Sequence, residues 1–445
     1  MLPSSRHALL ALALVASPAF ASTWVVTDAG DAGDGTCDAS CTLRDAVNES
    51  IADDRILFDL ALPNPLQLDL TGDALFIDIP LRITANDGVP TVLRRTGGSG
   101  RLIELGASAD VRIVGLGYED GNVLSMTSDV PAEGGAIFTA AGSALELRDC
   151  RFRNNQATGV LPPLVSGAVE ARGGAIATLG DLIVDRCSFV GNLANGANGL
   201  DGTMVAPNSA GSSAYGGAIY AAGAIDVLNS TFSGNQANGG DGGDGADQTG
   251  FPGGSGANGG NAAGGALYLA AGSSGTLGFA TLMGNDAVSG TGGSGGFGTP
   301  PGTSGLIGSA TGSAVQADAD LILNTSVVMG AGVASACEGM AITQRTANLV
   351  SDASCPGTVV TDLDLQFQPI DSLDPSPHFT PLPTSDAVDT SPDCLDPLGA
   401  EAVVLDQLIA TRPMTYHAAP VCDFGAIEFT PVIFADGFET PPPPP

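Results

Sequence analysis

Four stretches of this chain open with Gly-Gly-Ala followed by Ile or Leu and close on the same side chain. They begin at Gly134-Gly-Ala-Ile137, Gly173-Gly-Ala-Ile176, Gly216-Gly-Ala-Ile219 and Gly264-Gly-Ala-Leu267, with a degenerate fifth at Gly312-Ser-Ala-Val315. Each reaches a large apolar residue 16 or 18 positions after its first glycine: Phe152, Phe189, Phe232, Leu282 and Val328. In the first four an asparagine follows three residues later, at Asn155, Asn192, Asn235 and Asn285. Self-similarity of this kind marks an architecture in which one small unit is stacked on the next.

Aligning the units on the phenylalanine column exposes their interior. Leu145/Leu147, Leu182/Val184, Ile225/Val227 and Leu321/Leu323 fall seven and five positions before it, a period-2 alternation that belongs to strands. Two positions before it stand Cys150, Cys187, Ser230, Ala280 and Ser326, all small, as layers stacked ~4.8 Å apart require. The Gly-Gly pairs and the asparagines suit sharp corners, where both residue types tolerate left-handed backbone angles. The expected fold is all-β: a right-handed parallel β-helix, its hand taken from the general rule for parallel crossovers. Short strands at 56–60, 66–70, 75–79, 81–84, 102–105 and 111–114 would form the first coils. Residues 42–51 (TLRDAVNESI) read as a short helix with Leu43, Ala46, Val47 and Ile51 on one face and a capping box between Thr42 and Asp45, placed to cover the open end. The chain divides into a leader at 1–21, a cap at 22–55, the helix at 56–335, an irregular disulfide-containing module at 336–430 and a proline-rich tail at 431–445.

Composition restricts the functional classes. All 15 basic residues are arginine, against 48 acidic ones, for a net charge of −33. Nucleic acid, which needs a basic surface, is not an expected partner. Hydrophobic residues make up 43% of the chain, enough for a packed core. Residues 1–21 end in Ala19-Phe20-Ala21 after an apolar run and read as a signal peptide; no membrane span is expected after it. Eight cysteines then suggest disulfides, with Cys37/Cys41, Cys337/Cys355 and Cys394/Cys422 the natural local pairs among the many connectivities possible. Cys150 and Cys187 share a column and read equally as a bond or as two buried thiols.

Residues 37–47 (CDASCTLRDAV) resemble the signature of the CSLREA domain, with Thr, Asp and Val replacing Ser, Glu and Ile. The GGAI…FxxN units resemble the repeats of polymorphic outer-membrane proteins and of pectin-lyase-like β-helices. Residues 348–355 (NLVSDASC), 385–390 (SDAVDT), Asp406, Arg412-Pro413 and 422–428 (CDFGAIE) follow the landmarks of the choice-of-anchor Q domain. The resemblance implies a bacterial exported protein at, or released from, a Gram-negative surface, with no assigned activity. An autotransporter would end in a β-barrel, and the 16 residues from 430 to 445 are too few for one, so self-translocation is not expected.

β-Helices also carry polysaccharide lyases, which need a base and Ca²⁺ to acidify a sugar proton. Arg148, Arg151, Arg153, Arg172 and Arg186 are the candidate bases. Arg148 shares a column with Asp185, and Asp149 with Arg186, so ion pairs between coils are the favoured expectation. Asp28, Asp31, Asp34 and Asp38, and Asp241, Asp244 and Asp247, are candidate Ca²⁺ ligands, read first as solvated acidic loops because neither set matches a calcium-loop pattern. No other cofactor is expected. His378 and His417 read as surface residues. The glycine-rich insertions at 195–215, 238–263 and 289–311 leave one corner and would form a continuous ridge, either a contact surface or flexible decoration. The expected function is non-enzymatic, a monomer in adhesion or in contact with an extracellular polysaccharide or other cell-surface ligand. The alternatives are a polysaccharide lyase or glycoside hydrolase on the same scaffold, and a structural envelope component.

Overall fold

A computed structural model describes residues 21–163, 167–371, 374–412 and 422–429. The leader apart from Ala21, the tail at 431–445 and His417 lie outside them. The described chain is a right-handed parallel β-helix: every interstrand ladder is parallel, and each strand pairs with its counterpart one coil away. Leu145 pairs with Leu182 and Leu182 with Ile225, and Phe152 pairs with Phe189 and Phe189 with Phe232, in the register of the repeat alignment. Tyr118 on the preceding coil extends the aromatic column, giving four stacked rings with centroids 4.6–4.7 Å apart. Ring spacing equals coil spacing, so the column is continuous and fully buried.

The corners differ in part from expectation. The first glycine of each pair is left-handed, with φ between 55° and 68° at Gly134, Gly173, Gly216, Gly264 and Gly312. The second is required by proximity: a Cβ on Gly217 would overlap the carbonyl oxygen of Gly265. The asparagines are not left-handed; the residues before them are, at Asn154, Gly191, Gly234 and Gly284. Asn155, Asn192, Asn235 and Asn285 are instead fully buried and form a ladder, each Nδ2 donating to the Oδ1 of the next at 2.8–2.9 Å. The small column is hydrogen-bonded too, with the amide of Cys187 donating to Ser230 Oγ at 3.0 Å. Cys150 and Cys187 are buried free thiols.

Helix α1 (Leu43–Glu49) carries the expected capping box between Thr42 and Asp45 and adds Leu43, Ala46 and Val47 to the core. Ile51 falls beyond its last turn and is exposed. Parallel pairing starts at Thr23–Val26 and reaches Thr358–Val359, and it includes Thr91–Arg95, Leu116–Glu119 and Asn122–Ser125, which the repeat alignment does not reach. Cys37–Cys41, Cys337–Cys355 and Cys394–Cys422 are bonded. Beyond Val359 the chain is irregular, apart from α2 (Asp362–Leu365), and folds back along the flank of the solenoid. Leu365, Ala387 and Phe424 pack on Val327, Met329 and Leu349, and Val403 packs on Phe279. Fully buried Arg412 fastens this return, pairing with Glu428 at 2.9 Å and lying 4.4 Å from the Phe279 ring centroid.

Candidate functional site

The five arginines do not converge. Arg172 sits apart, paired with Glu133 (3.1 Å) and Glu170 (2.8 Å) and stacked over Tyr220. Arg151 and Arg153 both hold Glu119, each at 2.9 Å; Glu119 precedes them by one coil and is opposite Arg153 in register. That buried carboxylate escaped the sequence reading because its coil lies outside the GGAI units. Arg186 binds Asp149 through two bonds, at 2.8 and 3.0 Å, and Asp185 at 2.6 Å. The expected Asp149–Arg186 pair between coils is therefore present. Arg148 lies opposite Asp185 in register, but its guanidinium turns along its own strand to Glu146 at 2.5 Å.

The folded-back C-terminal segment creates two adjoining clefts along this flank. One, of 390 Å³, is lined by Arg151, Arg186, Asp149, Ser376 and Gln407 with aliphatic walls. Gln407 accepts from Thr231 Oγ1 at 2.6 Å and donates to Ser376 Oγ and the Pro377 carbonyl, both at 3.2 Å. Burial lowers the proton affinity of Arg151, whereas the hydrogen bonds that Arg186 donates to Asp149 raise that of Arg186. The second cleft, of 470 Å³, is lined by Arg148, Asp185, Asp226, Asp396 and Glu401. Burial pushes both Asp185 and Asp226 above the usual carboxylate range. These two carboxylates come from neighbouring coils, and the returning chain at residues 396–398 and 401–405 completes the cleft they line. His378 stands nearby, its Nδ1 2.7 Å from the Ser376 carbonyl oxygen.

The acidic loops are engaged with their own backbone. Asp28 accepts from the Gly30 amide and Ser40 Oγ, Asp34 from Thr36, and Asp38 from the Ser40 amide. Asp31 binds Arg44 and the amides of Thr71 and Gly72. Among the described residues no group of three or more His, Cys, Asp or Glu is placed to hold a metal ion. Asp241, Asp244 and Asp247 form a row whose Oδ1 atoms accept from the amides of Thr291, Ser294 and Phe297 at 2.8, 2.6 and 2.5 Å.

Those three bonds belong to a larger order. The insertions are three layers, each an outgoing and a returning extended strand, joined by backbone hydrogen bonds at every third residue. Gly199 and Gly202 donate up to Asp241 and Asp244, and Gly242 and Gly245 to Thr291 and Ser294. The returning strands repeat this, with Gly211 donating to Asn258, and Gly256 and Gly259 to Thr303 and Leu306. Three residues per turn is the polyproline-II period, and close packing of such strands leaves room for glycine alone. A Cβ on Gly243, Gly256 or Gly293 would overlap a carbonyl of the adjacent strand. The ridge is thus a built body rather than loose decoration. Its exposed tips carry Met204, Val205, Phe251 and Phe297, with Leu306 and Ile307 on the last returning strand, each at least 67% exposed. The signal for them in the sequence is the apolar-plus-proline centre of each glycine tract.

No protein-family profile and no curated protein matches the chain. Among solved structures it is similar to a rhamnogalacturonan lyase, at 12% identity and a TM-score of 0.29 over 81% of this chain and 79% of that one. It is also similar to pectate lyase Pel9A, at 10% identity and a TM-score of 0.25 over 93% and 97% of the two chains. Likeness at this distance says nothing about chemistry.

Proposed function

We propose that this is a non-enzymatic extracellular β-helix whose ridge makes contact with a cell-surface or matrix ligand. The carrying observation is the row of apolar side chains at the tips of an ordered ridge, on a protein whose net charge is −33. Three disulfides suit an exported protein, and no helix among the described residues is long and apolar enough to cross a membrane. Labelled protein incubated with whole cells and a broad glycan array tests the reading. Binding is expected, with at least a tenfold loss in a Met204→Ser/Phe251→Ser/Phe297→Ser variant. No binding by the unaltered protein would sink it, and tight outer-membrane association without any ligand would favour a structural envelope component.

A second reading, a polysaccharide lyase, is favoured by Arg151 and Arg186 sharing one cleft and by the burial of Arg151. Against it, each of the five arginines is tied to at least one carboxylate. Unsaturated-uronate absorbance against acidic polysaccharides, with and without Ca²⁺, decides between the two. Product release that Arg151→Ala abolishes would establish the lyase.

A further inference from the structure

The ridge stops growing at its third layer, and the way it stops has a chemical consequence. The first layer gives its upward amides to carbonyls of the second, and the second gives its own to the third. The third-layer counterparts of those donors are the amides of Ser289, Gly292 and Gly295 on the outgoing strand and of Ser304 and Ile307 on the returning one. Among the described residues no protein acceptor stands over any of these five, and all five residues are partly or fully exposed. The next coil makes this corner at 331–336 without an insertion, so no fourth layer covers them.

We infer that this edge docks an extended, proline-rich polyproline-II segment of a partner protein. Three features select that occupant. The free donors recur every three residues, about 9 Å apart along a polyproline-II strand, so a second such strand presents one carbonyl to each donor. The continuing hydrogen-bond pattern asks the newcomer for acceptors, and proline supplies carbonyls while bringing no amide that would need a partner. The flanking side chains are apolar and exposed, at Leu306, Ile307 and Phe297, the kind of surface on which pyrrolidine rings pack. Charge selects in the same direction: the third-layer tract carries no charged residue between Asp286 and Asp318, and the nearest carboxylates, Asp241, Asp244 and Asp247, already accept from its amides, so the edge offers a ligand free donors without a charge to pair. The stacking of layer on layer that builds the ridge is thereby continued by a partner strand. The inference deepens the contact reading by naming one ligand chemistry for the same ridge.

The test is fluorescence anisotropy of labelled deca-proline titrated with the full exported chain. Saturable binding is expected. A Ser304→Pro/Ile307→Pro variant should bind at least tenfold more weakly at an unchanged thermal midpoint, since proline suits this backbone and the two amides have no internal partner to lose. Leu306→Ser, which leaves every donor in place, should weaken binding as well. No binding at millimolar concentration, or equal binding by the double-proline variant, overturns the inference. So does capture of cellohexaose at this edge in place of deca-proline, which would assign it to a glycan. Because deca-proline binding is read on purified protein, its failure is separable from loss of binding to whole cells.

Discussion

Replacing Asn192 with alanine tests whether the buried ladder holds the coils together. Its Nδ2 donates to the Phe152 carbonyl at 3.1 Å and to Asn235 Oδ1 at 2.8 Å. Its Oδ1 accepts from the amide of Asn155 at 3.0 Å and from Asn155 Nδ2 at 2.9 Å. Four hydrogen bonds at about 1 kcal/mol each give a loss of about 4 kcal/mol, with the buried Asn155 amide left orphaned. Asn285 ends the ladder and makes three such bonds, to the Phe232 carbonyl and from the amide and Nδ2 of Asn235, so Asn285→Ala should cost about 3 kcal/mol. Gln156→Ala, on the outer face of the same corner, should stay within about 0.5 kcal/mol. Because a solenoid opens coil by coil, hydrogen exchange read by coil is the appropriate assay. Amides around residues 150–240 should lose about three decades of protection in Asn192→Ala, at roughly 1.4 kcal/mol per decade. The reasoning fails if Asn192→Ala costs no more than Gln156→Ala, or less than Asn285→Ala.

Close approach and backbone angle can be separated with two glycines. Gly217→Ala drives a methyl into the Gly265 carbonyl and should cost about 4 kcal/mol or more, whereas Gly234→Ala meets open space at φ 62° and should cost about 1–2 kcal/mol; equal shifts in thermal midpoint would contradict this. Burial, reinforced by repulsion from Glu428 and opposed by Arg412, pushes the Asp423 carboxyl up to about 7. A raised folded-state value means its contribution is complete below the unfolded value near 3.8 and is lost as pH climbs through about 7. Protease susceptibility of the C-terminal module should therefore rise between pH 4 and 8, and Asp423→Asn should flatten that slope; an unchanged slope would exclude Asp423 as its source. Cys150 and Cys187 should ignore a thiol reagent in the native state and give two thiols per chain in denaturant, since burial pushes the Cys187 thiol up; native labelling would contradict their burial.

The coil was legible because a stacked solenoid makes each residue answer to its counterpart one coil away. Phe152, Phe189 and Phe232 had to match one another in size, and Asp149 had to find an opposite charge at Arg186, so a column written in the sequence is a contact in space. The asparagines were found but given the wrong role, because spacing reports that a residue recurs and not whether its side chain points into the corner or its backbone bends there. Glu119 and Tyr118 continue the same columns on a coil whose sequence lacks the GGAI mark.

The clefts, and the internal order of the ridge, were beyond any local pattern. Gln407 reaches Thr231 across 176 residues, and Arg151 reaches the carbonyl of Asp374 across 223, contacts for which no period exists. Asp185 and Asp226 are ordinary outward residues of two strands until the returning chain closes over one side of the half-buried Asp185 and the still exposed Asp226, and partial desolvation raises their proton affinity. Glycine tracts read identically whether they are loose or packed; only their mutual placement on three successive coils lets one tract's amides meet the next tract's carbonyls. Side-chain identity at a repeated position carried the fold, because neighbouring coils repeat it. Long-range closure set the clefts, because there the partner of each group comes from a part of the chain that no repeat relates to it, whereas the ridge was ordered by the stacking of the coils that carry its tracts.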